Sequence, residues 1–362
     1  MADSEEFKSA LSVNSGIHQP PSINPDAIKH LSKRRKKKYS ADQYVKAILE
    51  GDRTILSQAI TLVESNNSCD ADLAHDIVEQ CLPFSAKSIR IGITGSPGAG
   101  KSTFIETFGK LITAEGRKLA VLAIDPSSEE TKGSILGDKT RMETLGNDPR
   151  AFIRPTPSSG TLGGVARRTR ETIILFEAAG FDTVLVETVG VGQSETTASS
   201  MVDFFLLLQL SGAGDELQGI KRGIMEMADT IAITKADGNN LIPAERAKIE
   251  FQNALHLYPP KPSGWRPNVI SSSSFENRGI RDIWESIKSY IDLTKKSGYF
   301  EDKRKQQAII RMHDAIIEQL KEQFYNSDEI IKMKPEIEKQ LQEGSITSYK
   351  AARTMLNKYF KK

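Results

Sequence analysis

One short segment constrains the fold of this chain more than any other. Residues 95–103 read Gly-Ser-Pro-Gly-Ala-Gly-Lys-Ser-Thr, which is the pattern G-x-x-x-x-G-K-[ST]. An apolar run at 88–94 precedes it, and a helical pattern at 103–111 follows it. Glycines allow backbone N–H groups to turn toward phosphate oxygens, and the following helix presents its positive end there. The segment therefore predicts a strand–loop–helix unit that binds a nucleoside triphosphate.

Two side chains of this loop have distinct expected roles. Lys101 is expected to reach the β- and γ-phosphates, and the Ser102 hydroxyl is expected to bind Mg²⁺. The alternative is a glycine-rich turn that only joins strand to helix, and the strand-to-helix context of the full motif disfavours it. The predicted nucleotide-binding loop comprises Gly95, Ser96, Pro97, Gly98, Ala99, Gly100, Lys101, Ser102 and Thr103.

Composition excludes several classes of protein. The 362 residues carry 49 Lys and Arg against 47 Asp and Glu, so the net charge of +2 predicts no general attraction to nucleic acid. The cysteines, Cys69 and Cys81, fit neither a disulfide framework nor a tight metal pair, which favours a reducing compartment. No apolar run reaches about 18 residues, so no membrane helix is expected. The acidic N-terminus is unlike a targeting peptide, and a cytoplasmic protein is expected.

Alternating patterns along the middle of the chain predict an α/β fold. Strand-like runs alternate with helical patterns from residue 88 to about residue 290. Their near-continuous apolar character is typical of parallel strands that helices cover on both faces. We expect the P-loop NTPase fold, with a mostly parallel sheet flanked by helices. The predicted strands are Arg90–Thr94, Leu119–Ile124, Ala151–Arg154, Thr183–Glu187, Phe204–Leu210, Thr230–Thr234 and Asn268–Ser271.

Two acidic residues at strand ends are candidates for contact with a metal. Asp125 ends an apolar strand, and two interpretations are open: it binds Mg²⁺, or it caps the turn before Pro126. Glu187 also ends a strand, and Gly190 follows it closely. This arrangement is typical of a segment that senses the γ-phosphate. Its acidic residue contacts the metal, and its glycine N–H donates a hydrogen bond to the γ-phosphate.

A later segment indicates which base is bound. Residues 234–237, Thr-Lys-Ala-Asp, match the guanine-reading pattern [NT]-K-x-D. The Asp237 carboxylate can accept from N1–H and the 2-amino group of guanine, a donor pair that adenine lacks, and the Lys235 stem would lie along the base. After a phosphate loop and a phosphate sensor, this tetrapeptide favours GTP and GDP. Val191 stands where many small GTPases place a water-orienting Gln, so slow unassisted hydrolysis is expected.

Taken together, these motifs resemble those of the methylmalonyl-CoA mutase-associated GTPases, the MeaB/ArgK family. The resemblance runs from about residue 40 to the C-terminus. It implies a GTP-hydrolysing chaperone that gates cofactor delivery to an adenosylcobalamin-dependent acyl-CoA mutase and protects that mutase. The segments that carry it are 95–103, 125–128, 135–142, 154–155, 160–164, 187–195, 212–221 and 235–237.

The resemblance also implies roles for single residues. Asp215 and Lys221 belong to a switch that responds to the mutase, and Lys221 matches a lysine linked to stimulated hydrolysis. Thr234 departs from the family, because most relatives carry Asn there. The implied metal-binding residues are Ser102, Asp125, Asp138 and Glu187. The implied catalytic residues are Lys101, Glu187, Asp215 and Lys221. The implied nucleotide contacts outside the loop are Gly190, Lys235, Asp237, Ser273, Ser274 and Phe275.

The sequence predicts that the chain is organised into four structural regions. They are a flexible tail at 1–39, a helical lead-in at 40–86, a GTPase domain at 87–297 and a helical arm at 298–362. The tail ends in the basic run 33–38, for which a solvated charge run is favoured over an anion-binding patch. The arm carries an apolar stripe with no strand left to cover, which predicts a homodimer through this arm.

Two other functions fit the sequence less well than the chaperone does. A metal-insertion GTPase is disfavoured because such proteins carry Cys/His clusters near the phosphate loop or near the second switch, which matches Gly190–Glu195 here, whereas both cysteines precede the loop. A kinase linked to amino-acid transport would need an ATP preference, which residues 234–237 disfavour.

Overall fold

The computed structural model describes residues 39–65, 67–125, 142–157, 162–188, 194–212 and 222–360. The helices are α1 Ala41–Leu49, α2 Arg53–Glu64, α3 Ser68–Cys81, α4 Lys101–Ala114, α5 Glu143–Gly146, α6 Leu162–Ala178, α7 Ser194–Ser199, α8 Arg222–Met227, α9 Leu241–Leu255, α10 Ile280–Lys296, α11 Tyr299–Tyr325, α12 Asp328–Gln342 and α13 Ser348–Phe360. The strands are β1 Ile89–Gly95, β2 Leu119–Asp125, β3 Ala151–Pro157, β4 Thr183–Thr188, β5 Phe204–Leu210, β6 Thr230–Thr234 and β7 Asn268–Ser271. Short 3₁₀ turns lie at Leu82–Phe84 and Gly238–Asn240.

The described strands form one seven-stranded sheet in the order β3-β2-β4-β1-β5-β6-β7. Every neighbouring pair is parallel. The predicted α/β fold is therefore confirmed, and each predicted strand is present. Because the strands are parallel, their carboxyl ends meet at one edge of the sheet, where ligands bind in open α/β folds. The phosphate loop, the acidic strand ends and residues 234–237 all lie at the carboxyl ends of strands, at this edge of the sheet.

Side-chain alternation along the strands builds two cores on the two faces of the sheet. On one face, Ile91 and Ile93 of β1 belong to a cluster with Phe104 of α4 and Trp284 of α10. The opposite face carries a second cluster, in which strand residues such as Ile233 of β6 pack with residues of α8 and α9. Neighbouring strand residues fall in different clusters because successive side chains point to opposite faces.

The N-terminal helices pack against the sheet domain, as the lead-in prediction requires. Asp52 caps α2 by accepting hydrogen bonds from the amides of Thr54 and Ile55, at 2.8 and 3.0 Å. Glu64, at the other end of α2, forms an ion pair with Arg154 and accepts a 2.9 Å hydrogen bond from the Thr156 hydroxyl. These contacts tie the lead-in to β3.

The C-terminal helices begin on the sheet and end away from it. Arg304 of α11 donates to the Asp203 carboxylate at 2.6 Å, and Lys303 donates to the Asp203 carbonyl at 2.7 Å. The helical pattern of residues 327–361 is divided between two helices, since α12 ends at Gln342 and α13 begins at Ser348. Gly344 lies between them with φ +69°, a left-handed conformation that ends a helix. None of the described helices is long and apolar enough to cross a bilayer.

Candidate nucleotide-binding site

The phosphate loop joins β1 to α4 in a conformation that depends on glycine. Gly100 precedes α4 with φ +80°, where a side chain would be strained. At Gly95 a Cβ atom would lie 2.4 Å from the carbonyl oxygen of Leu208 in β5, so only glycine allows this close approach. The Ala99 amide donates to the Ser96 carbonyl at 3.1 Å and closes the turn. The result is a tight loop at a helix N-terminus, which is the local structure that binds phosphate.

The polar groups of the loop fit an anionic ligand. The Lys101 ammonium donates to the carbonyls of Gly95 and Ser96, at 2.9 and 3.3 Å. The buried Ser96 hydroxyl oxygen makes no hydrogen bond to the residues that the structure describes. A buried hydroxyl without a partner costs free energy, so a bound phosphate or water would satisfy it. The loop thus offers an ammonium, a hydroxyl and backbone amides in one place.

A hydroxyl and a carboxylate lie together beside the loop. The Ser102 hydroxyl oxygen is 3.5 Å from Oε1 of Glu187, whose side chain is buried at the end of β4. Strand β4 lies between β1 and β2, so Glu187 lies next to the loop and Asp125 ends the adjacent strand. Oxygen ligands of this kind are those that Mg²⁺ prefers. Ser102 and Glu187 therefore fit a magnesium ion.

The segment 234–237 is hydrogen-bonded directly to the phosphate loop. The Thr234 hydroxyl is buried, 2.8 Å from the Ala99 carbonyl oxygen and 3.1 Å from the Gln209 carbonyl oxygen. Lys235 follows with φ +55°, and a Cβ atom at Gly100 would lie 3.9 Å from the Lys235 Cε atom. The lysine stem therefore runs beside the loop. Threonine at this position is compatible with the site because its hydroxyl bridges the two segments.

Asp237 is oriented by the loop after β7. Its Oδ2 atom accepts a 2.6 Å hydrogen bond from the Ser273 hydroxyl, and that hydroxyl oxygen accepts from the Glu276 amide at 3.0 Å. The Ser274 carbonyl accepts from the Thr107 hydroxyl at 3.3 Å. The Phe275 side chain is 94% exposed, so it is scarcely covered by the residues that the structure describes. Ser273 thus acts here by orienting Asp237, which the sequence pattern does not indicate.

The structure brings together only part of the predicted site. It places the loop 95–103 beside Glu187, and it places Lys235 and Asp237 beside the loop after β7. Asp125 is the last residue of β2. Asp138, Gly190, Val191, Asp215 and Lys221 lie outside the described residues, so their predicted roles remain predictions.

The parallel sheet, the phosphate loop and residues 234–237 define the class of protein: a P-loop NTPase of the GTPase type. The family described as "Methylmalonyl Co-A mutase-associated GTPase MeaB" matches residues 56–329. The chain belongs to this MeaB family of GTPases.

Similar proteins cover most of the chain. The GTPase ArgK of Escherichia coli is 49% identical over 73% of this chain and 80% of its own length. A protein of Mus musculus named "Methylmalonic aciduria type A homolog, mitochondrial" is 43% identical over 88% of this chain and 79% of its own length. A crystal structure titled "LAO/AO transport system kinase" is 34% identical, with a TM-score of 0.70 over 89% of this chain and 98% of that chain.

Proposed function

We propose that this chain binds GTP together with Mg²⁺, hydrolyses it slowly, and acts as a chaperone of an adenosylcobalamin-dependent acyl-CoA mutase. The observation that carries the guanine assignment is the hydrogen bond from Ser273 to Asp237, because it orients the carboxylate that would accept from the guanine base. Membership in a family described by its association with methylmalonyl-CoA mutase supports the partner. A cytoplasmic location is part of this proposal.

In the proposed complex, the phosphates occupy the loop at the N-terminus of α4. Lys101 exchanges its two carbonyl partners for phosphate oxygens, which bear full charge and bind an ammonium more strongly. The guanine base lies along the Lys235 stem, and Asp237 accepts from its N1–H and 2-amino groups. Because Ser273 already holds the Asp237 carboxylate, little ordering remains when the base binds.

The metal site would be built from Ser102 and Glu187, together with two further acidic residues. Ser102 and Glu187 lie within 3.5 Å of one another, and Asp125 and Asp138 complete the proposed set. These residues would hold Mg²⁺, which would supply positive charge to offset the negative charge of the phosphates. Glu187 is buried, so its carboxylate provides negative charge in a site from which water is largely excluded.

Stimulation of hydrolysis is proposed to come from the partner. Val191 cannot orient water as Gln does, so the basal rate is slow. Asp215 and Lys221 lie in a charged segment after β5 that a mutase could move toward the γ-phosphate. A cation placed on the charge that develops there contributes about 3–4 kcal/mol, which corresponds to at least a hundredfold in rate.

Association into a homodimer through the C-terminal helices completes the proposal. The apolar side chains of α11 remain about half exposed in the single chain, with Ile317 at 52% and Leu320 at 54%. These two residues also line a groove of about 920 Å³ between α11, α12 and α13. Exposed apolar surface of this kind is typical of a protein interface.

A kinase is the competing activity, since a solved relative carries that title. The bond between Ser273 and Asp237 favours the GTPase, because it orients a carboxylate that matches guanine and repels the N1 acceptor of adenine. If the γ-phosphate were transferred to an acceptor other than water, the inorganic phosphate released would be less than the GTP consumed.

Nucleotide competition tests the guanine assignment. We expect GTP to displace a fluorescent GDP analogue at least 100-fold better than ATP, because unmatched buried polar groups discriminate strongly. Asp237→Asn should lower the affinity for GTP and raise the affinity for xanthosine triphosphate. Asp282→Asn, on the exposed face of α10, should change neither affinity. Equal binding of ATP and GTP by the wild-type chain would exclude the proposal.

Purified methylmalonyl-CoA mutase tests the partner. We expect the mutase to raise the GTPase rate of the wild-type chain, and Lys221→Ala should reduce the ratio of stimulated to basal rate by about 100-fold. Release of inorganic phosphate should account for all GTP consumed. A rate unchanged by the mutase would contradict the chaperone assignment while leaving the GTPase assignment intact.

A further inference from the structure

Asn240 has an unusual environment for a residue at the start of a helix. It ends the 3₁₀ turn Gly238–Asn240 and directly precedes α9, where an asparagine side chain commonly caps the helix. Here the side chain makes no capping hydrogen bond. Its Nδ2 atom instead donates to the Lys235 carbonyl at 2.6 Å, and its Oδ1 atom accepts from the Ser211 hydroxyl at 2.5 Å.

The Lys235 end of this link lies in the guanine-reading segment. Lys235 has φ +55°, a left-handed conformation that costs free energy for any residue with a Cβ atom. A hydrogen bond from Asn240 to the Lys235 carbonyl stabilises the peptide in that conformation. Since this peptide lies between Thr234 and Asp237, its orientation sets both the lysine stem beside Gly100 and the carboxylate that reads the base.

The Ser211 end lies on the neighbouring strand. Ser211 directly follows β5, and the last residue of β5, Leu210, pairs with Thr234 in the sheet. Gly212 comes next with φ +86°, which marks a sharp change of chain direction. The guanine segment is therefore joined to the end of β5 twice, through the Gln209 carbonyl and through Asn240.

We propose that Asn240 is a positioning residue for guanine-nucleotide binding, which links the end of β5 at Ser211 to the backbone of Lys235. This inference rests on the proposed GTP binding. It assigns to Asn240 control over how long a guanine nucleotide stays bound, and it makes that residence time sensitive to the position of Ser211. Neither residue touches the nucleotide in this scheme, so both act through Lys235.

Release of a fluorescent GDP analogue from the full-length chain tests this link. Asn240→Ala should release the analogue about tenfold faster, the effect expected from a lost hydrogen bond to a strained peptide. The neighbouring Asn239 is exposed and provides the matched control, with Asn239→Ala within twofold of wild type. Ser211→Ala should have a smaller effect in the same direction. The double variant should match Asn240→Ala, because both changes break one chain of hydrogen bonds.

Asn240→Asp separates the two halves of the link. Aspartate still accepts from Ser211 but donates nothing to the Lys235 carbonyl, so release should be at least as fast as from Asn240→Ala. In steady-state hydrolysis, Asn240→Ala should raise the KM for GTP more than it lowers kcat. A general loss of structure would not produce this split.

Several outcomes would overturn the inference. Wild-type release rates in Asn240→Ala or Asn240→Asp would do so, and so would equal effects of Asn239→Ala and Asn240→Ala. If Asn240→Ala does not fold, as judged by thermal unfolding, Ser211→Ala and Asn240→Asp decide the question by the same criterion. Failure of the wild-type chain to bind GDP at all would instead reject the proposed function.

Discussion

The Thr234 hydroxyl lies 2.8 Å from the carbonyl oxygen of Ala99, so the segment that reads the base is held by the loop that binds the phosphates. The same hydroxyl lies 3.1 Å from the Gln209 carbonyl of β5. One buried side chain therefore fixes the relative position of two halves of the site. Where the family pattern is expected to have asparagine, this chain has a threonine whose hydroxyl reaches the phosphate loop.

Thr234→Val tests this bridge. Valine has nearly the same shape and lacks the hydroxyl, so the one hydroxyl proton shared between the Ala99 and Gln209 carbonyls is lost. With about 1 kcal/mol expected for such a hydrogen bond, GDP affinity should fall by about five- to tenfold. Titration calorimetry measures it, and Thr54→Val at the exposed start of α2 is the matched control. Undiminished GDP affinity in Thr234→Val would show that the bridge does not position the base.

Lys101→Ala should separate ligand binding from folding. The ammonium donates to the backbone carbonyls of Gly95 and Ser96 in its own loop, so its loss should leave the thermal unfolding midpoint within a few degrees of wild type. The affinity for GTP should fall by at least tenfold, since hydrogen bonds to charged phosphate contribute about 1.5–3 kcal/mol each. Lys110→Ala, on the exposed face of the same helix, serves as control. Loss of helical circular dichroism in Lys101→Ala would indicate a structural role for the loop lysine.

The buried carboxylate of Glu177 should be important for stability. It accepts from Arg90 at 2.9 Å, from the Ser88 hydroxyl at 2.6 Å and from the Ala86 amide at 2.7 Å. Burial lowers the pKa of Arg90, but Glu177 and Asp203 more than offset this, so the net pKa is raised and the cation persists. Glu177→Ala leaves that cation partly unpaired and should cost about 3–5 kcal/mol.

Urea unfolding measures the Glu177 effect. The exposed pair of Glu285 and Lys288 gives the control, because Glu285→Ala should cost less than about 1 kcal/mol. A comparable loss of unfolding free energy in the two variants would mean that burial of the Glu177 pair adds nothing to stability.

The two cysteines should differ sharply in reactivity. Cys69 is exposed, whereas Cys81 is fully buried, and burial raises the pKa of Cys81 to about 11. Because the thiolate is the reactive form, Cys81 should remain unmodified at pH 8. A colorimetric thiol reagent should therefore titrate one thiol in the native chain and both after unfolding in guanidinium. Rapid reaction of both native thiols would show that α3 opens readily.

Charges introduced on α11 should dissociate the proposed dimer. Ile317→Glu and Leu320→Glu place carboxylates on a half-exposed apolar surface, which should be tolerated in the monomer and be costly in an interface. Light scattering should then report a mass near the chain mass of 40.0 kDa. Lys305→Glu, at an exposed position of the same helix, should leave the mass of the wild-type chain unchanged. A wild-type chain that is itself monomeric would remove the basis for the dimer.

Apolar runs and the phosphate motif were sufficient to predict the sheet. Each predicted strand is present because buried parallel strands are nearly continuous in apolar residues, and only their ends differ: β3 extends to Pro157 rather than Arg154. The helical arm expected at 298–362 included no interruption at Gly344, where the structure ends one helix before the next begins. The boundaries proposed for the four parts of the chain remain predictions.

The candidate site was less predictable than the sheet. Motifs indicate which residues face a nucleotide, but the partners of Thr234, Ser273 and Asn240 lie far away in sequence. Hydrogen bonds between distant short polar side chains leave no periodic signal, so pattern reasoning cannot find them. The asparagine that precedes α9 even has the pattern of an ordinary helix cap.

Through the contact between Arg304 and Asp203, α11 also supports the strands of the sheet, in addition to its proposed role in the dimer. Asp203 and Ser88 lie just before β5 and β1, at the edge of the sheet opposite the phosphate loop, and Arg304 donates to both. Strands of seven residues separate that edge from the loop by about 20 Å. Truncation of the chain at Gly298 would remove these hydrogen bonds from the starts of β1 and β5. A truncated protein would then lose stability at these strands as well as the proposed dimer interface. Point substitutions on α11 separate the two effects.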